Sequence, residues 1–114
     1  FGGFTMGGRL YGKSPQMPTN DLHFFDPLTG AWVNLGGREP DGIPPGSPPP
    51  RGAMGFAADG ARLLVFGGAG WGTNRLQDLH RFDLASRAWA ELGLAAVGGD
   101  PPPAARSAPG MAAW

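Results

Sequence analysis

The sixteen residues from Asn20 to Leu35, NDLHFFDPLTGAWVNL, return 57 positions later, from Gln77 to Leu92, as QDLHRFDLASRAWAEL. Asp21/Asp78, Leu22/Leu79, His23/His80, Phe25/Phe82, Asp26/Asp83, Ala31/Ala88, Trp32/Trp89 and Leu35/Leu92 are identical. Eight identities in sixteen positions, two of them Trp, mark an internal repeat. A repeat constrains the fold more than any other feature, because each unit is a supersecondary element that buries its apolar face only against a neighbour.

The correspondence extends on both sides. Phe1-Gly2-Gly3 matches Phe66-Gly67-Gly68, and the run ending Pro48-Pro49-Pro50-Arg51-Gly52 matches Pro101-Pro102-Pro103-Ala104-Ala105-Arg106-Ser107. After those arginines, Met54-Gly55-Phe56-Ala57-Ala58 lines up with Pro109-Gly110-Met111-Ala112-Ala113. One unit of about 55 residues therefore reads as Pro-rich loop, Arg, small-residue segment, turn, apolar run ending in Gly-Gly, loop, DLHxFD, turn and AWxxL.

Each segment has the length and composition of a short strand. Arg62 to Phe66 is a continuous apolar run behind Asp59-Gly60, a pair that tolerates positive φ and favours a hairpin, so 53–58 and 61–66 are expected to pair antiparallel. Asp26-Pro27-Leu28-Thr29-Gly30 joins the DLHFF and AWVNL strands with a preset φ at Pro27 and a Gly at the exit. Asp83-Leu84-Ala85-Ser86-Arg87 holds the same place in the second unit. No stretch keeps a 3.6-residue period over a helix length with caps.

Composition now has a place to act. Gly (21) and Pro (13) make up roughly 30 % of the 114 residues, a level associated with low complexity. Yet 41 % of residues are hydrophobic, and nine Lys plus Arg balance nine Asp plus Glu, which argues for a folded chain. The prolines cluster in the same loop of each unit and the Gly pairs at strand ends. No basic run offers a nucleic-acid footprint, and no apolar stretch is long enough for a membrane span. The absence of Cys removes disulfides, thiolate metal sites and a cysteine nucleophile, and it fits a reducing, cytoplasmic setting. A chain starting at Phe1 rather than Met is expected to be a piece of a longer polypeptide.

Four short strands per unit with Gly-Gly and Trp markers are the signature of a propeller blade, and the sequence resembles the kelch repeat family. The carrying residues are VFGG at 65–68, DLHRFD at 78–83, Trp89, and the Pro-rich approach to Arg51. Units of this family often carry a His three residues after that Arg, where Met54 and Pro109 stand here. The resemblance implies an all-β fold of kelch-type β-propeller blades, each a four-stranded antiparallel meander, in an incomplete ring. Residues 1–35 would end one blade, 51–92 would form a complete blade and 106–114 the first strand of the next. Long loops would occupy 4–20, 36–50 and 93–105. Gly2, Gly3, Asp21, Phe25, Asp26, Trp32, Arg51, Gly67, Gly68, Asp78, Phe82, Asp83, Trp89 and Arg106 are the structural residues of the repeat. Trp32 and Trp89 read as packing between blades, Asp26 and Asp83 as turn entries. With only two blades and both inter-blade faces open, the chain is expected to be marginal, aggregating or self-associating.

Functional motifs are sparse. Gly7 to Ser14 (GGRLYGKS) satisfies the phosphate-loop pattern, but FGGFTM before it is no buried strand, and Pro15 and Pro18 would break the helix that must follow, so it reads as a flexible insertion. His23 and His80 occupy equivalent positions in different units, too far apart to share a metal ion. No cofactor and no catalytic constellation is found. In a meander, tight turns (59–60, 27–30, 84–87) share one face and the long loops share the other, where recognition residues concentrate. That face holds Arg9, Tyr11, Lys13, Arg38, Trp71, Asn74 and Arg75. Trp71 lies outside the repeat pattern, open to either partner contact or local packing. The leading expectation is a non-catalytic scaffold that binds a protein partner, not nucleic acid or membrane, through its long-loop face, with a mild preference for acidic segments. It would work alongside the remaining blades of a longer chain. The alternative is part of a kelch-fold enzyme or metal-dependent specifier-type protein with its site in other blades. The copper oxidase type needs Tyr with Cys, and only Tyr11 is present.

Overall fold

The computed structural model describes residues 1–6, 16–36, 46–72, 74–94 and 99–113. The described residues are all-β and contain no helix, so none is long and apolar enough to cross a membrane. Eight strands run in chain order: β1 Gly3–Met6, β2 Gln16–Thr19, β3 Leu22–Asp26, β4 Ala31–Gly36, β5 Gly55–Asp59, β6 Arg62–Ala69, β7 Arg75–Asp83 and β8 Ala88–Leu92.

β5 to β8 form one four-stranded antiparallel sheet in the order β5-β6-β7-β8, a complete blade. The expected hairpin forms with Asp59 paired to Arg62. Positive φ falls on Gly60 (56°) and not on Asp59, which ends its strand. A Gly at the first central position is what a type II′ turn requires. β1 pairs with β2, and β3 with β4. By the repeat, β2 and β3 together correspond to β7, so the third strand of the first blade is interrupted at Asn20-Asp21 where that of the second runs through.

The turns use local carboxylates. Asp26 Oδ1 accepts from Leu28 N at 2.9 Å, and Asp83 Oδ1 from Ala85 N and Ser86 N at 2.9 Å each. Those amides hold both carboxyls below the usual range. Gly30 leaves its turn at φ 71°, while Arg87 takes the equivalent place at φ 53°.

Two sequence boundaries shift. The 4–20 segment is not all loop, because β1 and β2 ladder into it from Gly3↔Thr19 to Met6↔Gln16. Arg75 lies within β7, paired with Ala69, and the connection narrows to 70–74. Residues 106–113, read from the sequence as a first strand, form no ladder among the described residues. Pro109 lacks the amide a ladder needs. Its anchors are Gly68 N to Arg106 O (2.8 Å), Arg106 N to Leu76 O (3.1 Å) and Ala108 N to Ala53 O.

The core sits at the seam between blades. Val65, Phe82 and Leu22 are buried, and Phe82 packs on Trp89 with ring centroids 5.0 Å apart. Trp89 in turn meets Phe1 edge-on at 5.1 Å, an arrangement aromatic pairs prefer. The Gly pairs make close approach possible. Gly67 has φ 60°, and a Cβ there would stand 3.0 Å from the carbonyl oxygens of both Arg106 and Leu76. Gly68, at φ 104°, would bring a Cβ to 2.8 Å from Gly52 O. Gly2 (φ 64°) and Gly3 (φ 119°) repeat the conformation at the first seam.

Candidate functional site

Two constellations stand out. The first is a buried polar clasp. Arg51 arrives from the Pro-rich loop with its backbone tied to the first blade, through Arg51 N to Thr19 O and Gly3 N to Arg51 O, both 2.9 Å. Its side chain, 0 % exposed, reaches into the second blade. There Nη1 and Nη2 donate to the two Asp78 carboxylate oxygens at 2.5 and 2.7 Å, Nη1 also to Gly67 O at 3.0 Å, and Nε to Pro49 O at 3.1 Å. The planar guanidinium suits this two-pronged geometry. His80 Nε2 contacts Asp78 Oδ2 at 2.6 Å from two residues along the strand.

Burial raises the Asp78 carboxyl's pKa, but the hydrogen bonds and charges of Arg51 and His80 outweigh it and hold the group well below the usual carboxylate range. In the first blade, Asp21 Oδ2 meets His23 Nε2 at 2.7 Å, and no Arg fork is present among the described residues. Burial raises Asp21 too, but the bonds from Thr19 and His23 outweigh it and leave the carboxyl below its ordinary value. Asp and His thus form separate pairs in separate blades, and no group of metal-ligating side chains occurs among the described residues.

The second constellation is an open groove of about 480 Å³ on the long-loop side. Phe4, Ala53, Ala69, Gly70, Trp71 and Arg75 line it, with Gly72 and Ser107. Trp71 is 55 % exposed. It sits in the short 70–74 connection, closed by Gly70 N to Asn74 O (3.2 Å) and Asn74 N to Trp71 O (3.3 Å). The Arg75 Nη1 donates to Asn74 O at 3.4 Å and has no carboxylate partner among the described residues. Trp71 and Arg75 therefore share one groove, while Asn74 closes the loop beside it. Arg9, Tyr11, Lys13 and Arg38, and the phosphate-loop pattern, lie outside the described residues.

Phe4 is a groove residue that sequence reasoning missed. Its ring lies where a Cβ on Gly52 would fall, so a Gly at 52 is the signal that could have found it. The Arg51 to Asp78 pairing was likewise hidden, since both residues recur but 27 positions apart.

Antiparallel four-stranded meanders joined through such seams define blades of a β-propeller, here in an open array. No protein-family model matches the chain. Among curated proteins, it is 31 % identical over 97 residues to Host cell factor 1 of Homo sapiens, covering 85 % of this chain and 4 % of that protein. It is 30 % identical over 89 residues to Kelch domain-containing protein 10 of Rattus norvegicus, covering 75 % of this chain and 21 % of that one. The chain thus spans a small part of these relatives. With the repeat and the blade geometry, these similarities place it: the chain belongs to the kelch repeat family and carries about two repeats.

Proposed function

We propose that the chain is a non-catalytic interaction module that binds a protein partner through its long-loop face, with Trp71 and Arg75 as the contact pair. The observation that carries this reading is the groove itself, where an exposed indole and a guanidinium without an acidic neighbour among the described residues stand side by side. Aromatic and Arg side chains are the usual anchors of interfaces, and an unpaired guanidinium favours an acidic segment. Membership in a family of repeat propellers supports the scaffold role. The test is binding of fluorescently labelled acidic and basic peptide pools to the wild-type chain, Trp71→Ala and Arg75→Ala. Preference for the acidic pool, weakened about tenfold or more by either substitution, is expected. Binding unchanged by both substitutions would remove this face from consideration.

A further inference from the structure

The groove beside Trp71 draws its walls from two blades, and its chemistry is uneven. Phe4, on β1 of the first blade, supplies one part, while Trp71 and Arg75 come from the second blade. Ala53, Ala69, Gly70 and Gly72 add small surfaces and Ser107 a hydroxyl, so among the described residues Arg75 is the one charged side chain in the lining. Both rings are open to solvent, Phe4 at 40 % and Trp71 at 55 %. A run of carboxylates laid in this groove would meet a single cation. Its other charges would be desolvated against aromatic and small apolar groups, which is costly. A segment with one carboxylate next to an apolar side chain suits both parts. Arg75 takes the acid, and the apolar side chain leaves water against the Phe4 and Trp71 rings.

The position of Phe4 depends on Gly52. Gly52 N donates to Ala69 O at 2.9 Å and Ala69 N to Gly52 O at 2.8 Å, which fixes Gly52 against the second blade. The space that a Cβ on Gly52 would need is filled by the Phe4 ring, whose Cε2, Cδ2 and Cζ are its nearest neighbours. Gly52 does not adopt a positive φ, so an Ala there is opposed by that ring and not by its own backbone. The ring is the far end of a side chain that can rotate, and it would have to leave its place. We infer, on the reading that the long-loop face binds a protein partner, that Phe4 determines the specificity of the groove and that Gly52 positions it. The partner segment then presents a single carboxylate beside an apolar side chain, rather than a continuous acidic run.

Fluorescence anisotropy with three labelled peptide pools tests this: Glu flanked by Leu, Glu flanked by Ser, and Lys flanked by Leu. Wild type is expected to bind the Glu/Leu pool about tenfold or more tightly than either other pool, the scale of one buried apolar side chain or one interfacial charge pair. Phe4→Ala should erase the advantage of Glu/Leu over Glu/Ser and keep that of Glu/Leu over Lys/Leu. Arg75→Ala should do the reverse. Gly52→Ala should act like Phe4→Ala, yet add nothing in the double variant Gly52→Ala/Phe4→Ala, where the ring it displaces is gone. Phe4→Ala introduces no clash, so it carries the test if Gly52→Ala does not fold. Equal binding of the two Glu pools by wild type, both dependent on Arg75, would overturn the proposal and leave the acidic preference of this face standing. Binding of no pool, or binding insensitive to Trp71→Ala and Arg75→Ala, would remove the face itself. A Gly52→Ala chain that binds like wild type, or whose effect adds to that of Phe4→Ala, would overturn the positioning role.

Discussion

Replacing Asp78 with Leu isolates the clasp. The substitution removes both bonds from the guanidinium fork, at 2.5 and 2.7 Å, and leaves Arg51, with 0 % exposure, charged and without its counter-ion. Breaking one partner of a buried pair costs about 3 to 5 kcal/mol, because the remaining charge stays desolvated. For a domain of this size, total stability is about 6 to 17 kcal/mol, so the change is a large fraction of it. The bonds from Arg51 to Gly67 O and Pro49 O survive, and they set the lower end of the range as the expected value. In the double variant Arg51→Met/Asp78→Leu, the buried charge is gone. Its loss should therefore be smaller than that of Asp78→Leu alone by at least about 1 kcal/mol, a coupling typical of contacting residues. Urea midpoints followed by tryptophan fluorescence provide the cycle. If Asp78→Leu does not fold, Asp78→Asn, which keeps one acceptor, gives the same ordering on a smaller scale. A loss under about 1 kcal/mol for Asp78→Leu, or strictly additive effects, would refute a clasp built on a buried charge pair.

Further outcomes follow from the same geometry. The Asp78 carboxyl is depressed in the folded chain, so its stabilisation is present above the unfolded value of about 3.9 and is lost as pH falls below it. Urea midpoints should drop between neutral pH and strong acid. Asp78→Asn should flatten part of that slope, with the lowered Asp21, Asp26 and Asp83 supplying the rest. Arg87 sits at φ 53° in the exposed turn where Gly30 serves the first blade. Arg87→Gly should relieve that strain and stabilise by about 0.5 kcal/mol net of glycine's entropy, read as a rise of roughly 2 to 4 °C in melting temperature.

The blade was legible in the sequence because its signals are local. Asp59-Gly60, Asp26-Pro27 and the Gly-Gly pairs each dictate a backbone conformation within a few residues, and the repeat orders them. Edges of strands were less legible. β1, β2 and the start of β7 extend into segments rich in Gly and polar residues, where pairing with a neighbour decides the conformation rather than intrinsic preference. The clasp was visible only as two separate recurrences, since nothing in a sequence says that an Arg after a proline run folds onto an Asp in the next strand pair but one. The groove was half legible. Trp71 and Arg75 were singled out by position, while Phe4 enters through a ladder that the sequence did not announce.

Arg51 is bonded through its backbone to one blade and through its side chain to the next. The boundary of the covalent repeat and the boundary of the cooperative unit therefore do not coincide. A truncation placed between blades, in the Pro-rich loop where cutting looks harmless, would leave the guanidinium with its carboxylate but strip Arg51 of the Thr19 and Gly3 backbone that anchors it. By contrast, excising one whole period from inside the array would let an upstream Arg meet a downstream Asp and restore the seam. Gain and loss of repeats in such a chain is then tolerated in phase with the period and penalised out of phase, whatever the loops between them contain.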